Sequence, residues 1–400
     1  MFLFIAFLLL LFGLYGDSGS AIQIVGMMFF IFAGTIDLIK ARCNKRLFRL
    51  DGATIIICFL VPIFSCFALL LNQQFELIPQ TLAFMLCAFA ARTLILVNGV
   101  EKTIRVFIYA AITMTVLTLI FEYDMLVESL KFSINERGGR VRFSPFDNHP
   151  NLTGHIFGLS FLCCALYAYW HKYYRDKLWL AILMISSVAC LVILGATSSR
   201  GALVGTFLSL FAVYAAHILH GANITRKLII NAAVGVLTVF ALAFSNPEKI
   251  TEYFSELFEL NSTYRGFDSG LTGRTDNWSV IVAMSLDSFS GVVFGHGMRS
   301  WDHDLYGIAT DSSYINSLWE SGVFLTASIS IMLLRKIYLA GMAERSFVSD
   351  FYLAILVFSA MESLVARYLL GIGNPASLMI LIILLTPEKM FFLSEYAYKK

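Results

Sequence analysis

Charge is what this sequence has least of. Asp, Glu, Lys and Arg make up 14% of its 400 residues, against about 25% in a soluble domain. That shortage excludes a water-facing surface over most of the chain. A glycine-rich phosphate loop, a zinc motif and a nucleotide fingerprint are also missing, so ATP is not expected to be used by this chain itself. A net charge of +2 gives no reason to expect nucleic acid. No internal repeat is visible. No Lys or Arg precedes the first apolar run and no small-residue cleavage site follows it, so the N-terminal segment reads as a retained span and not a signal peptide.

What is present is apolar. Hydrophobic residues account for 58% of the chain and the mean hydropathy is +0.76. Runs near the ~20 residues needed to cross a bilayer recur along the whole length. They are apolar all round, where a soluble helix would be apolar on one stripe. Backbone N–H and C=O groups cannot stay unpaired in lipid, so such runs must be helices or strands of a closed barrel. Barrel strands alternate in polarity and these do not. The expected fold is all-α: a polytopic transmembrane helix bundle forming a single domain over 1–400.

About twelve spans are expected, near 1–16, 20–39, 53–71, 79–97, 104–122, 152–170, 178–196, 202–220, 228–245, 313–334, 348–366 and 374–386. Placing the loop Lys40–Asp51 in the cytoplasm, with every second loop after it and the C-terminal tail, gives that side 18 of the 29 Lys and Arg. The positive-inside rule therefore puts both termini in the cytoplasm. The outer side carries two long loops, 123–151 and 246–312. The second opens with Glu248, Glu252, Glu256 and Glu259 at helical spacing among apolar residues, as in an interfacial amphipathic helix. Long loops in compact proteins are usually functional or disordered. Its aromatic residues and glycine turns favour folded and functional. None of Cys43, Cys58, Cys66, Cys87, Cys163, Cys164 and Cys190 lies in an outer loop, so neither a disulfide framework nor a cysteine metal site is expected.

Arginine on the outer side runs against the positive-inside trend. The residues are Arg137, Arg140, Arg142, Arg200, Arg265, Arg274, Arg299 and Arg367. A guanidinium makes planar bidentate contacts to phosphate, which suits a lipid-linked phosphate or pyrophosphate. Contact with anionic headgroups or with the loop glutamates is the plainer alternative. Arg200 stands out, because small hydroxyl residues and Gly201 around it would let a ligand approach closely. Within the spans, Arg92 and Glu362 are ionisable groups at membrane depth, where charge is costly. Pairing with each other, lining a lipid-phosphate groove and snorkelling from a span end are all open to them.

Three stretches carry a resemblance. They are Ser144-Pro145-Phe146-Asp147-Asn148-His149-Pro150-Asn151-Leu152-Thr153-Gly154, Thr197-Ser198-Ser199-Arg200-Gly201-Ala202, and Gly273-Arg274-Thr275-Asp276-Asn277-Trp278. The last is followed by Gly295-His296-Gly297 and by Asp311-Ser312-Ser313-Tyr314-Ile315-Asn316. In order and spacing, with the span pattern and the long loop before the tenth span, they resemble the O-antigen ligase and Wzy-type polysaccharide polymerase superfamily. The resemblance implies a metal-independent glycosyltransferase of the bacterial inner membrane, with no cofactor. It would move a glycan from undecaprenyl diphosphate to an acceptor hydroxyl at the periplasmic face. Membrane lipid and a chain-length regulator protein are the further partners it allows, and nucleic acid is not one. By position, Arg200 and Arg274 are the expected diphosphate ligands.

The ligase pattern has a His, then a small polar residue and nine more residues, ahead of a Gly. Gly322 fits that Gly, but the His position holds Asp311, followed by Ser312. This departure favours the branch that polymerises repeat units into O-antigen, capsule or exopolysaccharide over the ligase that loads lipid A core or protein. A carboxylate at 311 is able to serve as general base, and also to cap the tenth span. The expected catalytic set is thus Asp311, Arg274 and Arg200. The expected substrate contacts are Arg142, Arg140, His149, Asn151, Arg265, Asp276, Trp278, His296, Tyr314 and Glu320. Asp276 is expected to orient Arg274 or bind sugar hydroxyls. Tyr264, Trp278, Trp301 and Tyr314 are candidates to stack on sugars, and His303 is a further outer-side base; aromatic residues of an interfacial belt are the commoner case. A lipid-linked oligosaccharide flippase and a non-catalytic assembly subunit are the readings from other classes.

Overall fold

The computed structural model describes residues 1–12, 19–40, 50–131, 141–147, 149–171, 176–220, 274–301, 305 and 311–388. The expected span 228–245, the acidic stretch 248–259, and Cys43, Arg137, Arg140, Tyr264, Arg265 and His303 lie outside these residues. The described part is all-helical, with no strand.

In chain order the helices are α1 (Phe2–Phe12), α2 (Gly19–Lys40), α3 (Gly52–Leu71), α4 (Ile78–Asn98), α5 (Val100–Phe121), α6 (Tyr123–Leu130) and α7 (Pro150–His171). After them come α8 (Lys177–Thr197), α9 (Arg200–Leu219), α10 (Arg274–Leu286), α11 (Phe289–Phe294), α12 (Ser313–Met342), α13 (Phe347–Glu362) and α14 (Pro375–Leu384). Eight of these are long and apolar enough to cross a membrane: α2, α3, α4, α5, α7, α8, α9 and α12. Two apolar helices, α1 and α14, are shorter. The 16-residue α13 falls on the expected span 348–366.

Local chemistry sets the helix ends. Asp51 caps α3, its carboxylate accepting from Thr54 N at 2.9 Å. Asp176 caps α8 through Trp179 N. Ser346 and Ser349 form a reciprocal capping box on α13. Asn374 caps α14 with Pro375 at the first helical position, where a missing N–H costs nothing. Within α3 a π-helical stretch, Ile55–Leu60, runs up to Pro62. The ring removes one N–H and blocks the normal bond four residues back, and a π turn accommodates that loss.

The bundle is inverted relative to a soluble protein of this size. Large apolar side chains face outward along α8, α9 and α12, among them Ile185, Val188, Phe211, Ile331 and Leu334. A continuous apolar face of that extent would drive aggregation in water, and it matches a hydrocarbon solvent. The centre is built from α7, α13 and α14, whose apolar side chains are largely shut off from the surface. α7 packs on α8, and α9 lies along α13.

Candidate functional site

Polar side chains gather at the two ends of this bundle. One end joins the starts of α3 and α13 with the finish of α14. There Arg92, buried in α4, donates from Nη1 to Asp51 Oδ2 at 2.9 Å and to Leu385 O at 2.6 Å. Lys336 Nζ donates to Thr386 O at 2.7 Å. Two cations thus satisfy the last carbonyls of α14, the favourable end of a helix dipole for positive charge. Asp350, fully buried, accepts from Trp170 Nε1 at 2.9 Å and Arg345 Nη1 at 3.2 Å, and lies 2.6 Å from His217 Nε2. Arg92 therefore does not pair with Glu362, one of the arrangements open to them from the sequence. Glu362 closes α13, whereas Asp51 and the α14 terminus hold Arg92 at the other end of the bundle.

The second end collects the sequence motifs. It comprises the start of α7, the turn between α8 and α9, α10, α11, the start of α12, and the segment after Glu362. In the α8–α9 turn, Ser198 takes a left-handed conformation at φ 49°. Arg142 holds that turn: its Nε donates to Thr197 O at 2.8 Å, and its Nη2 to Asn151 Oδ1 at 2.8 Å. The guanidinium is thus engaged in bracing the turn against α7, and Asn151 is its acceptor. Both are expected substrate contacts, and in the structure both fix the stretch that leads into Arg200. His149 sits exposed at the head of α7, its Nδ1 accepting from Asn151 N.

Arg200 opens α9, half-buried, and Gly201 follows. The absent side chain at Gly201 was expected to admit a ligand. It admits the protein: a Cβ there would meet Val365 and would lie 2.8 Å from Glu362 Oε2. Glu362 is 2% exposed, and its Oε1 lies 4.0 Å from Nδ1 of His155, itself 1% exposed. Neither imidazole nitrogen, nor Glu362 Oε2, has a hydrogen-bond partner among the described residues. Arg274 lies within electrostatic reach of the same carboxylate.

Arg274 opens α10, and its Nε stands 3.4 Å from Asp311 Oδ2. Asp311 therefore does not cap α12. Ser312 occupies that position, without a side-chain cap bond, while its Oγ donates to Ser363 O at 3.1 Å. Nor does Asp276 orient Arg274; it is exposed on the first turn of α10. Trp278 is half-buried with Nε1 unpaired among the described residues. Tyr314 spends its hydroxyl on Ala360 O at 3.1 Å. Trp301 has the Arg367 guanidinium 3.8 Å above its ring centroid, a cation–π contact that covers one face.

α12 is broken inside its third turn. Gly322 adopts φ 75°, ψ 177°, a region open to little besides glycine. The turn Gly295–Arg299 fills the break. His296 N donates to Trp319 O at 2.7 Å, Gly297 N to Glu320 O at 3.1 Å, and Arg299 N to Glu320 Oε1 at 2.7 Å. The His296 ring stacks on Trp319 at 3.8 Å, and Trp319 Nε1 reaches Ser300 Oγ. His296 and Glu320, both expected to meet substrate, thus form the seam between α12 and the loop. The described residues contain no cluster fit to hold a metal, and their cysteines are unpaired.

This end therefore pairs Arg274 with Asp311 and sets Glu362 within reach of Arg274 and against Gly201, the residue after Arg200. It sets Arg142, Asn151, His296, Tyr314 and Glu320 to structural bonds. His155 was missed from the sequence, although an ionisable group directly after Gly154 in an apolar span was the signal. Comparison with family profiles, with characterised proteins and with solved structures finds no match.

Proposed function

We propose that this chain is a metal-independent glycosyltransferase that polymerises undecaprenyl-diphosphate-linked repeat units at the periplasmic face of a bacterial inner membrane. In this reading the bundle has twelve spans, both termini are cytoplasmic, and the arginine-bearing end faces the periplasm. The observation that carries it is that Glu362 stands between two motifs remote in sequence: its Oε2 lies against Gly201, the residue after Arg200, and Arg274 is within electrostatic reach of the same carboxylate. The sugar–phosphate bond of such a donor is already activated. Its rupture leaves growing negative charge on the diphosphate. Fixed guanidinium groups lower that barrier because they are in place before the charge develops. Asp311 holds Arg274 in register for this role.

The test is genetic and chemical. The gene is deleted and restored with wild type, Arg274→Ala or Arg200→Ala, and surface glycan is resolved on a gel. Single repeat units from both variants and a ladder from wild type are expected. Normal ladders from both variants would remove the assignment. Purified wild type supplied with lipid-linked repeats, with and without lipid A core, separates polymerase from ligase. A flippase is the second reading, favoured by the break in α12, since discontinuous helices often form transport sites. It predicts repeats trapped on the cytoplasmic face.

A further inference from the structure

Two buried ionisable groups at the arginine-bearing end, His155 and Glu362, have unbonded polar atoms, whereas each buried charge at the other end keeps at least one hydrogen bond, although Arg92 Nε there is also unbonded. Arg92, Lys336, Arg345 and Asp350 each have hydrogen bonds there. Burying a carboxylate and an imidazole without such bonds is costly, and a bundle tolerates this where the group has work to do. Glu362 Oε2 points at the backbone of Gly201, one residue from Arg200. The half-buried Val365 packs on the same glycine.

Two other carboxylates of this end are engaged, and a third, Asp276, is exposed on the first turn of α10. Asp311 is in an ion pair with Arg274. Glu320 accepts from Arg299 N and from the Asn316 side chain. A base needs a lone pair directed at the reacting hydroxyl and free of other donors. Of Asp311, Glu320 and Glu362, it is Glu362 that has neither a guanidinium in contact nor a hydrogen bond to Oε2 among the described residues. Resting on the glycosyltransferase reading, we infer that Glu362, positioned by His155, takes the proton from the acceptor sugar hydroxyl.

In that step the acceptor O–H gives its proton to Glu362 Oε2. The oxygen lone pair forms the new C1–O bond. The C1–O bond to the diphosphate breaks, its electron pair leaving on the diphosphate oxygen beside Arg200 and Arg274. His155, its Nδ1 4.0 Å behind, packs against the carboxylate on the side away from the sugar. The proton on Glu362 then passes to the departing diphosphate or to water, which restores the carboxylate.

The test uses the purified full-length chain and the undecaprenyl-diphosphate-linked repeat that accumulates in the deletion strain. Glu362→Gln keeps size and helix but cannot take a proton. It should lower kcat by roughly 10²–10⁴-fold with the KM for donor within about twofold, while Glu362→Asp recovers part of the rate. His155→Gln should lower kcat about tenfold at unchanged KM and add nothing in the Glu362→Gln background. Wild type is also treated with dicyclohexylcarbodiimide, which modifies carboxyl groups in apolar surroundings. Inactivation should track Glu362 modification by mass spectrometry and be slowed by the donor, a readout that holds even if Glu362→Gln does not fold. Glu362→Gln within about threefold of wild type, Glu362→Asp no better than Gln, or full activity with Glu362 modified would overturn the inference and leave the function standing. Absence of polymer from wild type would overturn the functional reading, and the inference with it.

Discussion

The break in α12 offers the sharpest perturbation, Gly322→Ala. At φ 75°, ψ 177° an alanine backbone costs about 1–3 kcal/mol. The new Cβ would also stand 2.7 Å from Val292 O and 2.8 Å from the Val293 carbonyl. Both are backbone atoms of α11, which cannot rotate aside. Relief requires α11 to withdraw from α12. That loosens the bonds of His296 N and Gly297 N on Trp319 O and Glu320 O, each contributing about 1 kcal/mol. The sum is roughly 3–5 kcal/mol. At about 2 °C per kcal/mol for a large domain, the melting point of the detergent-purified protein should fall by roughly 6–10 °C in scanning fluorimetry. Gly195→Ala is the control. Gly195 lies in α8, and apart from the backbone of that helix no atom lies within 4 Å of where the added methyl would sit. Helix propensity alone should then hold or slightly raise the stability, by about 0.5–1 kcal/mol. If both variants melt with wild type, the break does not depend on glycine and the docking of the 295–299 turn is misjudged.

Three further outcomes follow from the same contacts. Asp350→Asn leaves Arg345 and His217 facing a neutral amide in a buried site, so it should cost about 3–5 kcal/mol; Arg335→Ala, whose pair with Glu388 is exposed, should cost at most about 1 kcal/mol, and equal melting of the two would refute the contrast. At Asp51, burial acts to raise the carboxyl pKa, but bonds from Thr54 and the charge and bond of Arg92 outweigh it and set the net value below 3.8. A depressed folded value means the stabilisation is complete above the unfolded value of about 3.9 and is lost as pH falls through the folded one. Wild type should therefore lose more stability than Asp51→Asn on acidification below about pH 4, and parallel melting curves would contradict this. Under the proposed function, Asp311→Asn should cut polymer output about tenfold through misplacement of Arg274. It should have little further effect in an Arg274→Ala background, because residues in one ion pair do not act additively; full additivity of the two losses would separate them.

The bundle was legible because the relevant physics is compositional. An apolar run of ~20 residues without a charge is a helix in lipid whatever its neighbours do. The eight long helices fall on eight of the expected spans for that reason. The motifs were legible as places: the turn at Thr197–Arg200, the start of α10 and the start of α12 do share one end. What each side chain does there was not legible. Arg142 and Arg274 look alike as outer-side arginines, yet Arg142 finds a carbonyl oxygen 55 residues on, and Arg274 finds the Asp311 carboxylate. No local pattern encodes that difference, since it depends on which backbone carbonyls a turn leaves pointing outward. Gly322 was visible as a glycine in a motif, but the φ it needs comes from a turn docked across the chain.

The glycines expose the deeper reason. A glycine beside an arginine reads from sequence as room for a ligand. At Gly201 the room is taken by Glu362 and Val365, and at Gly154 by Ser199. In a membrane, helices associate by close packing, because lipid gives no hydrophobic drive between them; small residues are first a packing device. That packing brings Glu362 against Gly201, where a side chain on α9 is missing. The same contact that hides the carboxylate from water also places it one residue from Arg200. A substitution that opens α9 from α13 should therefore disturb the arginines and the carboxylate together, and Gly201→Ala should abolish polymerisation while leaving the Asp350 cluster at the other end intact. Retained activity in that variant would mean that Arg200 works independently of the α9–α13 contact.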